Sequence, residues 1–214
     1  MRPPKPRNFD AFPTLISQFD LKGHDCEQTV IDMMEDWVET SDHALVHGGQ
    51  SSYITGDEMF LNDKRLINLW KTIQSCCDTY TEETGIDYTL ISTSWFNRLE
   101  KYGSVDTHRH ERSVISGAYY PKCDNESAPL KFESPLQSYA MNMNFIKQTR
   151  FSTYTEVFVP ADGLLILFPS WLKHSVPPNQ SNNRYTLSFN TIRHADKGYV
   201  QTLKDYRMER PSEG

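Results

Sequence analysis

The sequence predicts an α+β fold, mainly β, with helices packed outside a β core. Two observations carry this: apolar residues recur at helical spacing in the first half, and the second half breaks into short β-branched and aromatic runs separated by turn residues. A third bounds it. No Gly/Ser-rich or Pro-rich interior stretch divides the 214 residues, so one domain is expected, with 1–87 as mostly helical support, 88–193 as the β core and 194–214 as a charged tail.

The elements follow in order. From Asp25, with Gln28 placed for a capping box, Val30, Met33, Met34, Trp37 and Val38 trace one face of a first helix. A second helix is expected from Asn62 to a stop at Gly85, because Leu66, Leu69, Trp70, Ile73, Cys77 and Tyr80 keep the same period. Between them, Gly48-Gly49-Gln50-Ser51-Ser52 reads as a plain polar connection rather than a cover over a site mouth.

Six strands are then expected: Thr89–Asn97, Val114–Tyr120, Leu130–Glu133, Phe151–Val159, Leu164–Phe168 and Tyr185–Ile192. This is the rhythm of a sandwich or barrel. Pro160-Ala161-Asp162-Gly163 has turn chemistry, so the runs on either side of it are expected to be adjacent strands. The polar stretch 139–149 reads as an inserted loop, and there are no internal repeats.

Composition narrows the function classes. The net charge of −6 and pI near 5.6 argue against a general affinity for nucleic acid, and Arg2, Lys5 and Arg7, spaced by prolines, read as a solvated extended tail. With 11 Tyr, 11 Phe and 4 Trp there is enough bulky side chain for a sizeable core. The four cysteines lack C-x-x-C spacing and are expected as reduced thiols. No apolar run approaches a membrane span and the N-terminus lacks a signal-peptide core, so a cytoplasmic setting without membrane contact is expected.

Chemistry concentrates on three histidines. His108 and His110 are two apart, so on a strand both would point to one face and reach one ion, with His174 as a distant third ligand. Non-haem iron is commonly held by two histidines and a carboxylate, with open positions beside them. Here the position two after His108 is a third imidazole, and Asp106 and Glu111 are the nearby carboxylates that could complete the site or orient a ligand. Ten residues after His174, Arg184 shares one strand face with Thr186 and Ser188, while Tyr185, Leu187 and Phe189 share the other. A buried guanidinium wants an anion: a bound carboxylate, or a structural salt bridge to Asp or Glu.

In order along the chain, Trp95-Phe-Asn97, Gly103, His108-Arg-His110, Ser116-Gly-Ala-Tyr119-Tyr120, Phe168-Pro-Ser170, His174 and Arg184-Tyr-Thr186-Leu-Ser-Phe-Asn190 resemble the 2-oxoglutarate/Fe(II) oxygenases, in particular small members from marine bacteria and their phages. The resemblance is close over 95–193 and loose over the helical half. It implies a double-stranded β-helix, a jelly roll of cupin-like form. It implies Fe(II) at His108 and His174, with His110 where the family has a carboxylate, and Arg184 on the distal carboxylate of 2-oxoglutarate. Thr186 beside it, and Tyr120 or Asn97 at the other end, are further co-substrate candidates by analogy. The implied reaction couples oxidative decarboxylation of 2-oxoglutarate by O2 to hydroxylation of an unknown organic substrate. The tail after Arg193 is charged and balanced, and reads as a surface segment or a weak oligomer contact, such as that of a homodimer.

Two other classes fit the histidine pattern: a cupin-like isomerase or dioxygenase working without 2-oxoglutarate, and a non-catalytic jelly-roll binding module. A cupin has no need of Arg184, and a binding module would carry no stoichiometric iron.

Overall fold

In the computed structural model, residues 5–38, 43–53, 60–136, 144–147 and 149–196 are described. Nine strands form one curled antiparallel sheet: β1 (Ser17–Asp20), β2 (Val46–Ser51), β3 (Thr89–His108), β4 (Ile115–Lys122), β5 (Leu130–Glu133), β6 (Thr155–Phe158), β7 (Leu164–Pro169), β8 (His174–Val176) and β9 (Arg184–Arg193). Their order is β1-β7-β4-β9-β3-β8-β5-β6, with β2 paired to β3.

The 20-residue β3 is the hinge of this layout. Its first part pairs with β9, Thr89 opposite Arg193 through Leu99 opposite Arg184; its last part pairs with β8, Val105 opposite Val176 and His108 opposite His174. Between these two partners the sheet folds over, so β1-β7-β4-β9 face β8-β5-β6. This is the curled half-barrel of a jelly roll.

Strand alternation sorts side chains between two cores. Tyr119, Leu165, Leu167, Tyr185, Leu187 and Phe189 point outward and pack with the helical residues Val30, Met34, Leu69, Ile73 and Cys77. Ala118, Tyr120, Ile166 and Phe168 point inward, against Leu130, Phe132 and Val176 of the smaller wall. At Gly117 an added Cβ would overlap the Phe189 ring, so that ring occupies the space a side chain there would fill.

Helix α1 (Glu27–Glu35) is shorter than its apolar stripe suggests. Val30 and Met34 are buried, but Val38 lies past the helix end and is exposed. The expected capping box does not form: Cys26 is the N-cap, Gln28 donates to Asp32, and the Asp25 carboxylate accepts from Asn68. Helix α2 (Ile67–Thr84) ends as expected at Gly85, whose φ of 70° is the left-handed cap. It starts five residues after Asn62, because Asn62 closes one 3₁₀ turn (Phe60–Asn62) and a second (Lys64–Leu66) intervenes, which Asp63 caps by accepting from the Arg65 amide at 2.9 Å.

Three expectations are corrected by the pairing. The first half is not purely helical, since β1 and β2 join the sheet. The segment 48–52, expected as a plain connection, runs largely within β2, where Gly48 and Gly103 let two backbones approach so closely that a Cβ on Gly103 would overlap the Gly48 carbonyl. The strands around the 160–163 turn are not neighbours: β6 pairs with β5, and β7 with β1 and β4. The turn chemistry is real, with Gly163 at φ 77°, but it connects the two walls. Only 144–147 and 149 of the expected inserted loop, and only 194–196 of the tail, lie among the described residues. None of the four cysteines is bridged, and no described helix is long and apolar enough to cross a membrane.

Candidate metal centre and co-substrate pocket

His108 is the last residue of β3 and His174 the first of β8, directly opposite it. His110 lies just beyond β3, in the loop whose turn places Arg112 at φ 65°. The expectation that His108 and His110 share a strand face is therefore corrected: the chain leaves the strand and bends back, and the His110 amide is anchored by donating to the Ser170 carbonyl at 2.9 Å. The result is still convergence. One nitrogen from each of His108, His110 and His174 lies within 4.8 Å of the other two, a spread that suits one ion.

Hydrogen bonds select the nitrogens. His108 Nδ1 donates to the Asp106 carbonyl at 2.7 Å and His174 Nδ1 to the Leu172 carbonyl at 2.9 Å. A carbonyl only accepts, so both rings carry the proton on Nδ1 and keep the Nε2 lone pair free. Burial pushes His110 down to about 2, helped by His174, His108 and His43, and pushes His174 down to about 3, helped by His108; His108 is lowered by burial and partly restored by Asp106. Three neutral imidazoles at neutral pH are three available metal donors.

Neither neighbouring carboxylate enters the cluster. Asp106 pairs with His47 at 2.9 Å and Glu111 with Arg109 at 3.5 Å. Asp106 acts on the site through its main-chain carbonyl instead.

The histidines open into a cavity enclosing about 520 Å³ of space, open solvent included, whose inner wall carries Arg184, Thr186, Tyr120 and Asn97. Arg184 is 1% exposed. Its Nε donates to the Ala128 carbonyl at 2.8 Å and one Nη to the Thr186 hydroxyl at 2.9 Å, and its guanidinium lies 5.3 Å from the centre of the Tyr120 ring. Among the described residues no carboxylate pairs with it. The structural salt bridge is therefore absent there, and a buried cation with so few partners favours an anion strongly. The buried Tyr120 hydroxyl and Asn97 amide oxygen have no hydrogen-bond partner among the described residues, and burial pushes Tyr120 up to about 12 against the pull of Arg184. The Arg184 guanidinium and the Tyr120 hydroxyl fit a carboxylate-bearing ligand reaching from the histidines, and Asn97 can join them only through its NH2 group, since its oxygen, like a carboxylate, can only accept.

Residues 93–190 match the family described as "Putative 2OG-Fe(II) oxygenase". The matched span contains the three histidines and Arg184. Over that span the chain resembles the 2OG-Fe(II) oxygenases. The chain is accordingly an oxidoreductase, and the family's cofactors are Fe(II) and 2-oxoglutarate. No curated protein matches the chain by sequence. Among solved structures, the oxygenase is similar to a prolyl-4-hydroxylase of Pseudomonas putida (TM-score 0.59, 13% identity, covering 85% of this chain and 94% of the other). It is also similar to a Trichoplax adhaerens prolyl hydroxylase in complex with a hypoxia inducible factor peptide (TM-score 0.56, 14% identity, covering 86% of each chain). It spans about half of a Burkholderia pseudomallei protein of the 2OG-Fe(II) oxygenase family (TM-score 0.44, 16% identity, covering 63% of this chain and 54% of the other). At these identities the likeness is one of fold.

Two residues, one lining the pocket and one beside His110, had no signal in spacing. His43, just before β2, reaches the cavity from 65 positions upstream of His108, and only the β2–β3 pairing brings it there. Asn190 stands in the quoted C-terminal motif, yet nothing in one sequence marks its side chain as a neighbour of His110, 3.4 Å away.

Proposed function

We propose that the oxygenase is a hydroxylase in which His108, His110 and His174 hold Fe(II) and Arg184 binds the distal carboxylate of 2-oxoglutarate. The carrying observation is the buried, carboxylate-free guanidinium of Arg184 in the same cavity as three neutral imidazoles. When bound, iron with 2-oxoglutarate and O2 supplies the oxidising power for attack on a C–H bond. The protein's own part is orientation and shielding. Arg184 offers a planar fork, Thr186 fixes that fork, and Tyr120 and Asn97 stand where their hydroxyl and amide can hold further oxygens. Trp95, Val105 and Phe168 line the same cavity and exclude water around the reacting groups.

Three neutral ligands leave the full ferrous charge facing the cavity, which favours a dianionic co-substrate more than a site already holding a carboxylate would. The similarity to prolyl hydroxylases makes peptidyl proline the first substrate to try. The whole chain is read as one domain in the cytoplasm.

The test is anaerobic titration of the Fe(II)-loaded protein with 2-oxoglutarate, following the weak visible charge-transfer band of the chelate, with Arg184→Ala and His174→Ala alongside. The band is expected in the wild type and lost in both variants. Iron binding with no band in any form would move the reading to a cupin-like enzyme working without 2-oxoglutarate. Absence of iron binding would overturn the metal assignment.

A further inference from the structure

The three histidines do not have equal freedom. His108 and His174 have Nδ1 against main-chain carbonyls, which fix the tautomer because a carbonyl can only accept. His110 Nδ1 instead lies 3.4 Å from the side-chain amide of Asn190, a group that can present either a donor or an acceptor. The amide's other end lies 2.7 Å from the Ser116 hydroxyl, which lies 2.8 Å from the Ser170 hydroxyl. Asn190, Ser116 and Ser170 are 8%, 1% and 0% exposed, so these groups must satisfy one another.

Two polarities satisfy them. In the first, Ser116 donates to Asn190 Oδ1 and the amide nitrogen faces His110; Nδ1 then accepts, and the ring proton sits on Nε2, where it blocks metal ligation. In the second, the amide is reversed: Oδ1 accepts from His110 Nδ1–H, the amide nitrogen donates to Ser116, and the Ser116 hydrogen turns to Ser170. The Nε2 lone pair is then free. Serine hydroxyls serve both polarities because each is donor and acceptor at once.

We infer that Asn190 is a positioning residue that selects the His110 tautomer by reversing its side-chain amide, with Ser116 and Ser170 as the relay that absorbs the change. Metal binding and the second polarity then favour each other, so two histidines are preset and the third is switched. This rests on the reading that the three histidines hold the metal.

The test uses the full chain with ¹⁵N-histidine, metal-free and loaded with Zn(II), reading each ring's tautomer from long-range ¹H–¹⁵N couplings, and Zn(II) affinity by competition with a chelator. In the wild type, Zn(II) should fix His110 with its proton on Nδ1. Asn190→Asp, whose carboxylate can only accept, should show that tautomer before any metal is added. Asn190→Ala should weaken Zn(II) binding roughly 10- to 100-fold, with Asn190→Asp restoring it. Asn190→Ala with wild-type affinity, or metal-free Asn190→Asp with the proton on His110 Nε2, would overturn the inference. If His174→Ala loses Zn(II) while Asn190→Ala keeps it, the positioning role alone fails. If the wild type takes up no Zn(II), or His174→Ala binds it as the wild type does, the metal reading fails and takes this inference with it.

Discussion

Arg184 shows how burial changes the meaning of a residue. On a surface a guanidinium is solvated and carries little information; at 1% exposure, with one main-chain carbonyl and one hydroxyl as its partners, it is a demand for an anion. Arg184→Lys keeps the charge and loses the fork, so 2-oxoglutarate affinity should fall roughly 10- to 100-fold while Zn(II) affinity stays unchanged. Calorimetric titration with each ligand checks both halves. A simpler residue-scale case is Asp63, which the Arg65 guanidinium and amide hold down to about 2. Its folded pKa lies below its unfolded one, so its contribution is present above about pH 4 and fades as pH falls towards 2. Asp63→Ala should cost on the order of 1 kcal/mol at pH 7, and the difference from wild type should shrink at pH 2, read by urea unfolding.

Among the elements, periodicity revealed what each segment is, and pairing decided where it goes. The α2 stripe was legible because Leu69, Trp70, Ile73, Cys77 and Tyr80 share one helix face and Gly85 supplies the stop. β5 was legible to the residue because it alternates between buried and half-exposed positions. β8 was not: three residues, His174–Val176, all buried, carry no alternation and exist as a strand only because β3 and β5 flank them. β2 was misread because its glycines look like loop residues, whereas they permit close approach to β3. Gly103→Ala should therefore force β2 away from β3 and destabilise the fold by about 1–3 kcal/mol. Thermal melts check the cost, and hydrogen exchange at 46–51 should rise more than at β9.

For the whole molecule, the centre ties the two walls together: His108 ends the strand common to both, His174 begins its partner in the smaller wall, and Arg184 begins β9 in the larger wall. A ligand touching all three clamps the jelly roll. Metal bound to the folded state alone stabilises it by about 2.7 kcal/mol at a free concentration 100 times Kd, so Zn(II) should raise the melting temperature and EDTA should reverse it. Adding 2-oxoglutarate should raise it further in the wild type and not in Arg184→Ala. His174→Ala should show neither rise.

What the sequence determined by itself was local or carried by recognisable spacing: the α+β order, the apolar faces, the order of the motifs, and the polar face of β9 with Arg184 on it. These are readable because period 3.6 and period 2 are properties of adjacent residues. What only the tertiary structure decided was long-range: that β3 spans both walls, that His110 converges on His108 and His174 from a loop rather than a strand, that Asp106 and Glu111 turn elsewhere, and that Asn190 lies against His110. Such contacts join residues far apart in the chain, 80 positions for His110 and Asn190 and 104 for Thr89 and Arg193, and their geometry follows from strand register and backbone bends, which no local pattern encodes.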